Sequence, residues 1–170
     1  MRVTQLLFPE IVGWQVERVW REAQEGERGR EIPPVLHLQA TARRARARCP
    51  CCGRRARRVQ SRYERTIADV PCGGAAVTLH LRVRRFWCRV PWCRRRIFCA
   101  RLPEVVASRA RRTLRLQEQL RQEVVRLGGE PTVHHLHAAG VAGSARTVLR
   151  LVRTTPLPPV GCVRVLGVDD

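Results

Sequence analysis

Three of the eight cysteines in this sequence fall within four positions, in the stretch Arg48-Cys49-Pro50-Cys51-Cys52-Gly53. Cys49 and Cys52 form a Cys-x2-Cys pair, and the glycine that follows suits the tight turn such a pair requires. A second close pair, Cys88-x4-Cys93, comes at the end of an alternating strand pattern. Zinc takes four ligands in a tetrahedron at Zn–S distances of about 2.3 Å, and two short turns that each aim a thiolate pair at one point are a common source. The pattern therefore predicts a structural zinc centre on Cys49, Cys52, Cys88 and Cys93. Four thiolates leave no open coordination position, so this metal would hold the fold and perform no chemistry. Cys51 could replace a member of the first pair only through a shorter chelate of poor geometry. Cys72, Cys99 and Cys162 have no close partner and read as free or buried thiols. His134, His135 and His137 sit together without a nearby cysteine or carboxylate pair, and read as solvated or as facing a partner.

The elements that must bring the two pairs together are legible in the hydrophobic pattern. Val77, Leu79, Leu81 and Val83 alternate with Thr78, His80, Arg82 and Arg84, which predicts a strand over Ala76–Phe86 with one buried and one basic face. A shorter strand is expected at Tyr63–Val70, before the turn signal Pro71-Cys72-Gly73-Gly74. Two strand-like pieces, Gly13–Arg21 and Ile32–Thr41, precede the cysteines on either side of a polar turn.

Beyond Pro103 the period changes. A long helix is expected over Glu104–Leu127, with Leu116, Leu120, Val124 and Leu127 on its buried side and Arg111, Arg115, Glu118 and Gln122 opposite. Gly128 and Gly129 should stop it. Pro131 opens a short second helix to about Ala139, and Ser144 is a good N-cap for a third over Ala145–Arg153. Two short helices around a glycine-containing turn fit a helix–turn–helix. On the last helix Arg146, Arg150 and Arg153 make one basic stripe, opposite a core side of Ala145, Val148, Leu149 and Val152. A stiff proline-rich linker then leads to the strand pattern of Cys162–Asp170.

Charge identifies the class of partner. The net charge is +19 across 170 residues, and every one of the 33 basic residues is arginine. A field of that density attracts polyanions, with double-stranded DNA first among them. Guanidinium groups suit bidentate contacts to phosphate and guanine, so Arg54 and Arg55 beside the first knuckle join the helix stripe as candidate DNA contacts. No signal peptide is visible and no apolar run approaches the roughly 20 residues of a membrane span, so a cytoplasmic, nucleoid-associated protein is expected.

The ordered set "CPCCG", "SRYERTIADVPCGG", "VTLHLRVRRFWC", the Cys-x4-Cys ending at Cys93, "RRIFCARLPEVVASRARRT", "LGGEPTVHHLHAAGVAGSARTVLRLVR" and "VLGVDD" resembles the ISL-three family of bacterial insertion-sequence transposases. The likeness runs from about Cys49 to the last residue. It implies a zinc finger and a helix–turn–helix that bind the element's terminal inverted repeats, followed by an RNase H-like domain whose two Asp and one Glu hold Mg2+. By position Asp169 corresponds to the first of those carboxylates, with Asp170 as the adjacent alternative. On this resemblance the second Asp and the Glu are missing, and the chain would be inactive alone. A second copy or a full-length transposase then joins DNA among the expected partners. A stand-alone zinc-ribbon and helix–turn–helix transcriptional regulator is the alternative, and a basic RNA-binding protein a more distant one.

The expected fold is α+β. Residues 1–48 give N-terminal strands packing on a zinc-finger module over 49–102, a helix–turn–helix occupies 103–154, and 155–170 carry the linker and the first strand of an incomplete RNase H-like domain.

Overall fold

In the computed structural model the residues described are 14–24, 32–43, 45–100 and 102–154. They form strands β1 (Trp14–Gln24), β2 (Ile32–Ala42), β3 (Ala47–Arg48), β4 (Arg55–Ala56), β5 (Val59–Cys72), β6 (Ala75–Trp87) and β7 (Ile97–Cys99). Helices α1 (Leu114–Leu127), α2 (Gly129–Ala138) and α3 (Ala145–Arg153) follow. The main sheet has the order β1-β2-β6-β5, with β7 added to β6, and β3–β4 form a separate small ribbon. β2 runs parallel to β6 while the other pairs are antiparallel. β5 and β7 both pair with β6 near Phe86, so β7 must prolong the edge that β2 occupies farther along the same strand.

Alternation along β6 has the predicted consequence. Val77, Leu79, Leu81 and Val83 are buried and meet Leu38, Ala40, Ile67 and Trp14 in the sheet core. The expected strand at Tyr63–Val70 extends in both directions to Val59–Cys72, pairing along nearly the whole of β6. Gly73 and Gly74 close that hairpin with φ of 57° and 71°, a conformation that glycine adopts without strain.

The predicted helix over Glu104–Leu127 is corrected at its start, because it begins only at Leu114. Leu102, Val105 and Val106 are buried in the sheet core, where they pack on its apolar face rather than line a helix face. Arg109 takes a left-handed φ of 63°, which interrupts any helix. The backbone then pairs with β5 on both sides of one residue. The Ala68 amide donates to Arg111 O at 2.9 Å, and the Thr113 amide donates to Ala68 O at 3.0 Å. Thr113 caps α1 by accepting from the Leu116 amide. Arg111 therefore lies ahead of the helix, and Leu127 is 44% exposed instead of buried.

A buried ion pair fixes α1 to the sheet. Asp69 on β5 is 1% exposed and accepts from Thr113 Oγ1 at 2.6 Å and from Arg115 Nε at 2.8 Å, with Arg115 Nη2 at 2.5 Å on its other oxygen. A second core grows from this junction. Leu116, Leu120 and Val124 of α1 pack with Leu136, Val141 and Val148, and Ala68 and Val70 of β5 border them.

The second face of the sheet is a polar stack that the sequence did not suggest. His37 Nδ1 lies 2.9 Å from His80 Nε2, and His80 Nδ1 lies 2.9 Å from Glu64 Oε1. Trp20 stacks across both imidazoles, with centroids 4.9 Å and 5.3 Å away. His37 Nε2 is 3.0 Å from Glu22 Oε2 but off the line needed for a hydrogen bond, so it stays without one. Arg82 meets Glu17 on the same face, which makes this surface partly neutralised rather than a bare basic sheet.

Candidate metal centre and nucleic-acid interface

The turns that carry the four cysteines are built by their own backbones. The Cys49 amide donates to Arg54 O at 2.8 Å, and the Gly53 amide donates to Cys49 O at 2.9 Å, a reversal that Gly53 permits with φ of 70°. On the other side the Cys88 amide donates to Arg96 O at 2.8 Å and the Cys93 amide to Val90 O at 3.1 Å. The β5–β6 hairpin brings the two turns together.

Cys49, Cys52, Cys88 and Cys93 consequently place their sulfur atoms within 4.8 Å of one another. Cys49 Sγ is 3.8 Å from Cys93 Sγ, and Cys52 Sγ is 3.6 Å from Cys88 Sγ. A tetrahedron with Zn–S bonds of about 2.3 Å has S···S edges of about 3.8 Å, whereas a disulfide would bring two sulfurs to about 2.05 Å. The spacing fits a four-sulfur metal site and excludes a disulfide between these partners. Phe86 and Phe98, 5.9 Å apart, pack under the cluster and keep water from three of its members. Cys51 is exposed and Cys72 and Cys99 are partly buried; Cys162 lies outside the described residues.

Ionisation across the cluster is uneven. Burial pushes the Cys49 thiol up, but hydrogen bonds from the Cys52 and Cys51 backbone and from the Cys52 and Cys88 side chains outweigh it and lower it to about 7. For Cys88 a backbone hydrogen bond at Val90 lowers the value, yet burial and the contacts with Cys52, Cys93 and Cys49 prevail and push it up to about 12. A divalent cation held by these four sulfurs would supply charge that compensates their thiolates, and the donor set and its spacing fit such an ion.

Positive charge is concentrated in the two sequence segments that carry the paired cysteines. Nine arginines lie between Arg43 and Arg62 and seven between Arg84 and Arg101, and neither segment contains an aspartate or a glutamate. Arg54, Arg55, Arg57 and Arg58 are exposed around the first turn.

The helices occupy the other end of the ribbon. From Val59, beside the cysteines, to Ala68, beside α1, β5 covers about 30 Å at roughly 3.3 Å per residue. A single residue, Gly128, separates α1 from α2, so α2 starts at Gly129, ahead of the expected Pro131. Ser144 caps α3 as expected, its hydroxyl accepting from the Thr147 amide. Arg146, Arg150 and Arg153 are exposed on α3, and Val148 opposite them is 1% exposed. Leu149, expected in the core, is instead 43% exposed and lies over Gly129. Arg112 reaches Ala142 O at 2.7 Å, and its burial, with Arg150 nearby, lowers its pKa. His135 pairs with Glu123 and His137 with Gly143 O, which gives both imidazoles partners outside any metal set.

Asp169 and Asp170, with the closing strand pattern, lie outside the described residues. No helix among the described residues is long and apolar enough to cross a membrane. No curated protein and no solved structure matches the chain. Residues 45–93, which contain all four clustered cysteines and the β5–β6 hairpin between them, match the family described as the zinc-finger of transposase IS204/IS1001/IS1096/IS1165.

Proposed function

We propose that the chain is the DNA-binding portion of an insertion-sequence transposase, with Zn2+ as its structural metal. Cys49, Cys52, Cys88 and Cys93 would hold the zinc and so fix the arginine-rich end of the β5–β6 ribbon. At the other end α2 and α3 serve as a helix–turn–helix whose second helix offers Arg146, Arg150 and Arg153 to DNA. Arg54 and Arg55 add phosphate contacts at the zinc end. The single observation that carries this reading is the four-sulfur cluster lying inside a segment that matches a transposase zinc finger.

The stretch of β5 between the two clusters, Val59 to Ala68, is about 30 Å long at roughly 3.3 Å per residue, comparable to the roughly 34 Å of one B-DNA turn. That length supports simultaneous contact with one duplex, with phosphate contacts supplying affinity and base contacts the preference for terminal inverted repeats. Asp169, or Asp170 beside it, would belong to the carboxylate set that binds Mg2+ in a complete catalytic domain. A second copy or a full-length transposase is the expected protein partner.

The test compares a duplex carrying an element's terminal repeat with an unrelated duplex of equal length, titrated at several salt concentrations. Binding should fall steeply with salt on both. The terminal repeat should be preferred at least about tenfold, the discrimination of a single good base contact. Equal affinity for the two duplexes would contradict recognition of element ends.

A further inference from the structure

The second zinc turn carries a feature that metal binding does not explain. Trp92 sits immediately before Cys93 and is 78% exposed, the most exposed of the large apolar side chains described. An indole normally hides most of its surface, and one left in water calls for an occupant. Its loop is not loose. Arg96 Nη1 donates to Val90 O at 3.3 Å and its Nη2 donates to Pro91 O at 3.3 Å, so one guanidinium braces the two residues before Trp92. The Arg95 amide donates to Cys93 Sγ at 3.4 Å and ties down the other side. The indole is thus held outward on a hydrogen-bonded turn.

Its surroundings select the occupant. Arg94 and Arg95 line a shallow depression with Pro50 and Cys51, and the loop contains no carboxylate. An apolar protein surface, or a second copy of this module, would have to desolvate these like charges without compensation. Nucleic acid supplies both an anion for the guanidiniums and a flat ring for the indole. In a fully stacked duplex the ring faces are covered, so the indole needs a base that has left the stack.

We propose that Trp92 stacks on an unpaired or unstacked base, with Arg94 and Arg95 on the neighbouring phosphates. This makes the zinc turn a reader of distorted or opened DNA rather than a plain backbone clamp. The inference rests on the DNA-binding reading above, and the experiment separates the two.

The zinc-loaded chain is titrated against three probes: a fully paired duplex, the same duplex with one bulged base, and the corresponding single strand. Wild type should prefer the bulged duplex over the paired one. Trp92→Ala should weaken binding to the bulged probe about tenfold, within the range of one lost base–aromatic stack, and leave the paired duplex unchanged. Trp92→Phe should restore most of the loss. Arg94→Ala with Arg95→Ala should weaken both duplexes and reduce the slope of log K against log salt by about two. If wild type binds none of the probes, the DNA-binding reading itself fails. If wild type binds with steep salt dependence but Trp92→Ala matches it on every probe, the loop proposal alone is overturned. Retention of zinc by Trp92→Ala checks that a lost preference does not arise from unfolding.

Discussion

Replacing Asp69 with alanine should cost the protein about 3 kcal/mol, and the figure follows from the environment of one carboxylate. Asp69 is 1% exposed and holds three donor groups, Thr113 Oγ1, Arg115 Nε and Arg115 Nη2, between 2.5 and 2.8 Å. Breaking a buried pair by deleting one partner costs about 3–5 kcal/mol when the other charge is stranded. The Arg115 side chain is 28% exposed and can recover some hydration, which places the expected loss at the lower end. The Thr113 hydroxyl keeps its role as acceptor from the Leu116 amide but loses its own acceptor, so α1 should fray at its first turn. For a chain of this size about 3 kcal/mol corresponds to a fall in melting temperature of roughly 6–12 °C. Urea denaturation followed by circular dichroism measures the loss, and a cycle with Arg115→Ala isolates the pair. The expected coupling is about 2 kcal/mol, near that of a charge-assisted hydrogen-bonded pair. A loss below about 1 kcal/mol for Asp69→Ala, or strictly additive single and double variants, would refute the idea that this carboxylate docks the helices onto the sheet.

Two other substitutions probe separate parts of the structure. Gly140→Ala places a methyl group at φ of 70° and 3.1 Å from the Ala76 side chain, and should lower stability by about 1–2 kcal/mol in thermal unfolding; an unchanged midpoint would mean the α2–α3 turn relaxes freely. Arg146→Ala with Arg150→Ala should weaken duplex binding and reduce the salt slope by about two, because both guanidiniums are exposed on α3. Unchanged affinity would move the contact away from this helix.

The parts of the fold that were legible in sequence were those where one local pattern decides the outcome. Val77, Leu79, Leu81 and Val83 announce β6 because a strand exposes alternate residues to opposite faces. The paired cysteines announce their cluster because short chelating turns leave few other partners. What stayed hidden depends on distant residues. Nothing local to Leu102, Val105 and Val106 distinguishes a helix face from a segment packed on the sheet, and the sheet they cover comes from strands far away in the chain. The Asp69–Arg115 pair joins positions 46 apart, and the His37–His80 contact joins positions 43 apart across a parallel pairing of β2 and β6. Single polar residues carry no mark of such partners. Exposure of Trp92 was equally invisible, since a tryptophan next to a metal ligand reads as a packing residue until its surface is measured.

Metal content tests the account most directly. The purified chain, analysed by native mass spectrometry and elemental analysis, should hold about one zinc ion. Cys88→Ser should lose it and unfold the separate β3–β4 ribbon together with the β7 end of the main sheet, because Cys88 and Cys93 anchor the turn there. A protein that is folded and binds DNA with no bound metal, or a Cys88→Ser variant that keeps a full equivalent of zinc, would contradict the assignment of these four cysteines as one metal centre.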